Sequence, residues 1–308
     1  MKTNLSSQIK LDRVAKRYYD PQGEIELAAL TREEKIYTRI FETADDGSAY
    51  LADNVAETIR RSVAAKNRCV LALGSGRNTH AVYARLIEMY QRGEVSFDRV
   101  TVFNLSEFFP LLPDGPSTLA RLKEVFLDKV DVRPENVHSI NPAVTMEDMF
   151  DYCKEYERKI SDCGGIDLTL CEIGPGGSLA FNEPGSLSTS LCRLVLLSAE
   201  VRHQIQSTYK CDVCPATAIT LGLGNILSSS RILCMAWGEN RAKVVQQAIE
   251  GPVSDTVPAS FLQLHNHTKV AIDLGAADNL TRISHPWMVT SCEWTPKLTR
   301  RAIVWLCE

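Results

Sequence analysis

The sequence predicts an α/β fold, one Rossmann-like domain whose mostly parallel sheet is flanked by helices. Three observations carry that expectation. Short runs such as CVLAL and RILCMAW are apolar at every position, as central strands covered on both faces must be. Each is followed by a stretch of ten or more residues with apolar positions at helical spacing, the pattern of a βαβ crossover. No Pro/Gly/Ser linker interrupts the alternation, so 308 residues are assigned to one unit, with 1–33 as an N-terminal extension and 276–308 as a C-terminal segment.

Taken in order, residues 31–66 read as a helix with Leu51, Val55, Ile59 and Val63 on one stripe, leading into the strand CVLAL at 69–73. Asn78 is placed to cap the next helix, whose inward stripe is Val82, Leu86 and Met89 and which Gly93 ends. A strand follows at 99–104, helices at 117–130 and 146–163, and a strand at 166–173. The remainder reads as strands at 193–197, 216–221, 231–237 and 269–274, with a helical turn from Asn225 and a helix at 240–251. The last residues carry three of the four tryptophans and stop on AIVWL, so the terminus is either a docked final helix or the front part of a longer protein.

Composition excludes several function classes. Net charge is -4 with no block of like charges, so no basic stripe is available to neutralise a nucleic-acid backbone. No stretch approaches the ~18 apolar residues a membrane span requires, and the N-terminus lacks an apolar signal core, which makes a cytoplasmic location the default expectation. Ten irregularly spaced cysteines do not form a disulfide framework, and Cys69, Cys171 and Cys234 lie in apolar runs where a thiol behaves as a small hydrophobe.

Ligands of open parallel sheets bind beyond the carboxyl ends of the strands, so the loops there are where chemistry is sought. After CVLAL comes Gly74-Ser75-Gly76-Arg77-Asn78, where glycines admit close backbone approach and a helix N-terminus offers free N–H groups, an anion cradle. It lacks the third glycine of a dinucleotide fingerprint and the lysine of a P-loop. After the strand at 166–173 comes Gly174-Pro-Gly-Gly-Ser-Leu-Ala-Phe-Asn-Glu-Pro184, more specific than turn chemistry demands.

These residues resemble the glucosamine-6-phosphate deaminase/isomerase family, relatives of the 6-phosphogluconolactonases, whose members carry Gly-Asn-Asp-Gly-His-Ile-Ala-Phe-Asn-Glu-Pro at this place. The likeness extends through VTVFNLSEFFPL, VDVRPENV, the LGLG loop, AWGENRAK and EGPVSDTVPASFLQLH. A closer likeness is to the two-domain deaminase-like proteins of Bacteroides-type bacteria, in which a de-N-acetylase-like domain follows; such a domain here would explain the abrupt C-terminus. The resemblance implies conversion of glucosamine 6-phosphate to fructose 6-phosphate and ammonia, without metal or organic cofactor, in amino-sugar metabolism. It also implies a small-molecule sugar phosphate as partner and a homo-oligomer by family habit.

Residue by residue, the resemblance also implies impaired chemistry. The base of the family's Asn-Met-Asp-Glu run falls on Ser106 in Asn104-Leu105-Ser106-Glu107, a hydroxyl that does not ionise near neutral pH. The later Asp falls on Gly176 and the ring-opening His on Ser178, while the last carboxylate is retained as Glu183. Glu107 is a candidate substitute base, although an extended segment would turn its side chain to the opposite face. The phosphate end matches Gly74, Ser75, Gly76, Arg77 and Asn78, with Asn182 beside it and Arg241 in place of a phosphate-holding Lys. A second phosphate-contacting Arg falls near Ser207. Of two allosteric positions one matches as Arg193 and the other becomes Val195, so allostery is not carried over. The expectation is a divergent family member with weak or altered catalysis; the alternative is a non-catalytic sugar-phosphate sensor.

Other candidates read as structural. Cys211-x-x-Cys214 lacks a second pair at zinc spacing. His265-x-His267 reads as surface, His80 as packing or solvent-exposed, and the Asp45-Asp46 and Glu33-Glu34 pairs as solvated helix ends.

Overall fold

The computed structural model describes residues 14–112, 115–141, 143–211 and 213–307. In chain order its elements are α1 (Glu24–Leu30), β1 (Tyr37–Phe41), α2 (Ala44–Lys66), β2 (Cys69–Leu73), α3 (Thr79–Gln91), β3 (Val100–Asn104), β4 (Ser106–Phe109), α4 (Thr118–Val125), β5 (Val137–His138) and α5 (Met149–Asp162). Then come β6 (Leu168–Glu172), β7 (Arg193–Leu196), α6 (Ala199–Tyr209), β8 (Thr217–Thr220), α7 (Leu223–Leu227), β9 (Ile232–Ala236), α8 (Ala242–Ile249), β10 (Thr268–Asp273), α9 (Thr281–Ser284) and α10 (Pro296–Cys307).

Seven strands form one parallel sheet in the order β1-β10-β9-β6-β2-β3-β5. Successive side chains of a strand point to opposite faces, and the core divides accordingly. Val70, Ala72, Cys171, Ile232 and Cys234 pack on one face, and Cys69, Leu71, Leu73, Leu168, Leu170, Leu233 and Met235 on the other. The three cysteines read as buried hydrophobes are indeed buried and unpaired.

Three readings of secondary structure need correction. The segment read as a helix from residue 31 begins with an edge strand: β1 pairs with β10, and its alternating exposure explains why it lacks the apolar run of a central strand. The helix proper starts after Thr43, whose hydroxyl accepts the Asp46 N–H, with Asp45 and Asp46 exposed in the first turn where the dipole favours them. The strands at 193–197 and 216–221 do not join the parallel sheet. With β4 they build a separate antiparallel sheet in the order β4-β8-β7, packed against α6 through Phe108, Val201, Ile205 and Ala218. Finally, the helix expected over 117–130 stops at Val125 and continues as a short 3-10 turn.

Residues 14–33 are held to the core by Tyr18 and Leu30, both buried. The pair Glu33-Glu34 splits: Glu33 is exposed, whereas Glu34 is buried in an ion pair with Arg282 at 2.7 Å, which corrects the reading of both as solvated. The last residues do form a helix, α10. It touches the body through Trp305 beside His285 and Trp287, and leaves Ile303, Val304 and Leu306 exposed.

Candidate functional site

From β2 the chain proceeds outward to β3 and β5, while β6, β9 and β10 lie on the other side, so β2 and β6 flank the point where strand order reverses. Loops leaving such neighbours diverge and open a crevice. Here the crevice is lined by Gly74, Ser75, Gly76 and Arg77 after β2, by Leu105, Ser106 and Phe108 around β4, by Glu172, Gly174, Pro175, Ser178, Ala180 and Phe181 after β6, and by Gln204, Thr208 and Tyr209 on α6. The small antiparallel sheet and α6 thus supply the wall that the parallel sheet lacks.

The β2–α3 loop is braced from within. The Tyr83 hydroxyl donates to the Gly74 carbonyl, Thr79 donates from both its N–H and its hydroxyl to the Gly76 carbonyl, and the Ser75 and Tyr209 hydroxyls are hydrogen-bonded at 3.3 Å. Burial raises the Tyr209 phenol to about 12, so it remains a neutral hydrogen-bonding group. Asn78 sits at the N-cap position without making a side-chain cap, contrary to expectation. Its amide and its N–H face the carboxylate of Glu172 instead.

Ser106 and Ser178 are both buried and both line the crevice. Their neighbour Glu107 does not. It is 1% exposed and points away, its Oε1 accepting the N–H groups of Phe108 and Thr118 at 2.9 Å, and its Oε2 the Ser117 hydroxyl at 2.9 Å and the Leu119 N–H at 3.0 Å. The Thr118 and Leu119 N–H groups are orphan donors at the start of α4, where a carboxylate is favoured. Glu107 therefore serves the start of α4 and is turned away from the crevice where a substitute base would be needed, for the reason of strand alternation anticipated from the sequence.

Glu183 and Asn182 lie beside the crevice and do not line it. A Glu183 oxygen accepts the N–H of Ser198 at 3.0 Å, fixing the residue that caps α6. Asn182, wholly buried, donates to the carbonyls of Leu179 and Leu221 and accepts from Arg193, which also reaches Ser186. Arg193 thus ties the AFNEP loop to β7. Gly176 adopts a positive φ of 61°, a conformation that L side chains rarely hold, so glycine serves the turn here.

Arg241, at the start of α8, lines an outer groove continuous with the crevice at Arg77 and Glu172, together with Asn78, His203, Ser207 and Trp237. Arg77 donates to the Ser207 carbonyl at 3.4 Å. Two guanidinium groups and a helix N-terminus therefore converge on this groove. The residue sequence reasoning missed is Glu172, the last residue of β6. Its signal was present as a lone carboxylate ending an otherwise apolar central strand. Burial raises its pKa, with Arg241, Asn78 and Arg77 opposing the rise.

The remaining candidates do not line the crevice. Cys214 is buried with its thiol toward the Pro215 carbonyl, and no group of three or more potential metal ligands occurs among the described residues. His265 is held between the Thr268 hydroxyl and the Ser229 carbonyl, while His267 is exposed. His80 is half-buried just inside α3, its pKa lowered by burial and then by Arg121, and it lines none of the clefts described above.

With this geometry in place, comparison with known proteins is decisive. The family profile described as glucosamine-6-phosphate isomerases/6-phosphogluconolactonase matches residues 42–271. The chain belongs to that family. It is 46% identical over its whole length to a glucosamine-6-phosphate deaminase-like protein of Bacteroides thetaiotaomicron, of which it spans only 47%. It is 34% identical over 229 residues to the glucosamine-6-phosphate deaminase of a Thermoanaerobacter species, covering 74% of this chain and 90% of the relative. Among solved structures, a monomeric glucosamine-6-phosphate deaminase superposes with a TM-score of 0.74 at 31% identity, covering 79% of this chain and all of that one. A 6-phosphogluconolactonase of Thermotoga maritima, at a TM-score of 0.61 and 19% identity, shares the fold. Among the described residues no helix is long and apolar enough to cross a membrane.

Proposed function

We propose that this chain is a divergent member of the deaminase/isomerase family that binds a hexose phosphate in the β2–β6 crevice and performs the family reaction weakly or not at all. The observation that carries this reading is that Ser106 and Ser178 both face the crevice while the adjacent carboxylate, Glu107, is committed to capping α4. Moving a proton between C2 and C1 of an amino sugar phosphate needs a carboxylate near the carbon, and opening the ring needs an acid/base group. Two hydroxyls supply neither near neutral pH. Glu183, the retained carboxylate, is engaged by the Ser198 N–H outside the crevice lining, and Glu172, the carboxylate that does line it, lies over Gly76 among the phosphate-seeking groups.

Ammonia release from glucosamine 6-phosphate tests the proposal. Loss of one positioned general base costs about 10²–10⁴-fold, so the parent should fall at least that far below ordinary family enzymes. The double variant S106D/S178H should raise the rate. Parent turnover at the ordinary family level would defeat the reading.

A second reading, a sugar-phosphate sensor acting with a further domain, is favoured by the crevice lining, which among the described residues holds no histidine or aspartate. Thermal stabilisation by several sugar phosphates without product formation would support it. A role in amino-sugar catabolism, a cytoplasmic location, a homo-oligomeric state and a de-N-acetylase-like domain beyond residue 308 belong to the same proposal. The length of the Bacteroides relative supports the last of these.

A further inference from the structure

The anion-binding end of the crevice already contains a carboxylate. Glu172 projects from the end of β6 across the opening between β6 and β2. Its carboxylate lies so close over Gly76 that a Cβ built there would fall 2.0 Å from Oε1. The groups that would receive a phosphate surround it: Arg241 and Arg77 attract it, and the side chain and backbone N–H of Asn78, at the start of the thirteen-residue α3, are turned toward it. A phosphate monoester seeks the same donors.

Glu172 is also poorly satisfied in this position. Its Oε2 is enclosed and has no hydrogen-bond partner. Glu107, by contrast, is equally an acid beside a helix start and receives four donors. A buried acceptor left unmade is costly, so a carboxylate in the first condition gains by leaving and one in the second does not. Glu107 is built to stay, whereas Glu172 is held mainly by the charge of the cradle.

We propose that Glu172 is an internal competitor for the phosphate site: in the free protein its carboxylate fills the cradle formed by Gly76, Asn78, Arg77 and Arg241, and a ligand phosphate enters only by displacing it. This rests on the hexose-phosphate reading of the crevice and adds the residue that sets its affinity. Glu172 lines both the crevice and the outer groove, so the displaced side chain can turn outward toward Trp237 and His203, and both cavities are continuous at that point.

Isothermal titration of the full chain with inorganic phosphate and with fructose 6-phosphate, near neutral pH and at fixed ionic strength, tests this. The variants are E172A, which empties the cradle, and E172Q, which keeps the shape without the charge, each checked for native fold by circular dichroism. Removing a competitor held by the charge of two guanidinium groups should tighten phosphate binding by about 10- to 100-fold in E172A, with E172Q shifted in the same direction. Equal or weaker binding by both folded variants would overturn the competitor role while leaving the hexose-phosphate reading standing. Failure of parent and both variants to bind either ligand would overturn that reading and the competitor role together. E172Q alone suffices should E172A fail to fold.

Discussion

Replacing Glu107 by glutamine separates a structural anion from a catalytic one. The side chain keeps its shape, and the remaining oxygen can still serve the N–H groups of Phe108 and Thr118, each now at 2.9 Å. The new amide faces the Leu119 N–H and the Ser117 hydroxyl. Serine can rotate to accept, although its oxygen already takes the Ala120 N–H. The Leu119 N–H cannot turn. One buried unmade donor costs about 1–3 kcal/mol, and converting the surviving bonds from charged to neutral at a helix N-terminus costs about 1 kcal/mol more. About 3 kcal/mol is therefore expected in urea denaturation with an unchanged m-value. At about 2–4 °C per kcal/mol for a chain of this size, the midpoint of melting should fall by about 6–12 °C. A stability within about 0.5 kcal/mol of the parent, together with loss of whatever ammonia release the parent shows, would refute the capping argument and restore Glu107 as a base.

Further outcomes follow from the same geometry. Arg282→Met strands Glu34 in the core without its 2.7 Å partner, which should cost about 3–5 kcal/mol, while the paired change E34L/R282M should recover most of it; a single-variant loss below about 1 kcal/mol in chemical denaturation would contradict this. Burial raises Glu34 from 4.5 to about 7 against the pull of Arg282, so its protonated form is favoured by folding. That contribution is full below about pH 4.5 and is lost as pH rises toward 7, and the stability-against-pH curve of Glu34→Gln should lack this falling limb. Tyr83→Phe removes the hydroxyl that holds the Gly74 carbonyl and should cost about 1 kcal/mol, with faster amide exchange in residues 74–78 as the local readout.

The sheet was legible where a strand is buried on both faces. CVLAL and RILCMAW have no period because both sides meet apolar layers, and they stand as β2 and β9. β1 was not legible, since an edge strand with alternating exposure next to a capped helix shares its residues with a helical pattern. The antiparallel sheet was hidden for a related reason. β4, β7 and β8 are four residues each, and pairing partners 21 to 114 positions apart leave no local mark.

What the sequence by itself determined is the strands buried on both faces, the longer helices and the anion-seeking glycine loop. These are properties of residue type and short spacing. The tertiary structure alone decided which carboxylates face the crevice. Glu107 and Glu172 both end or flank apolar strands, yet α4 takes the first as a cap while the meeting of β2 with β6 lays the second over Gly76. The groups around Glu172 come from elements far apart along the chain, and spacing does not encode that.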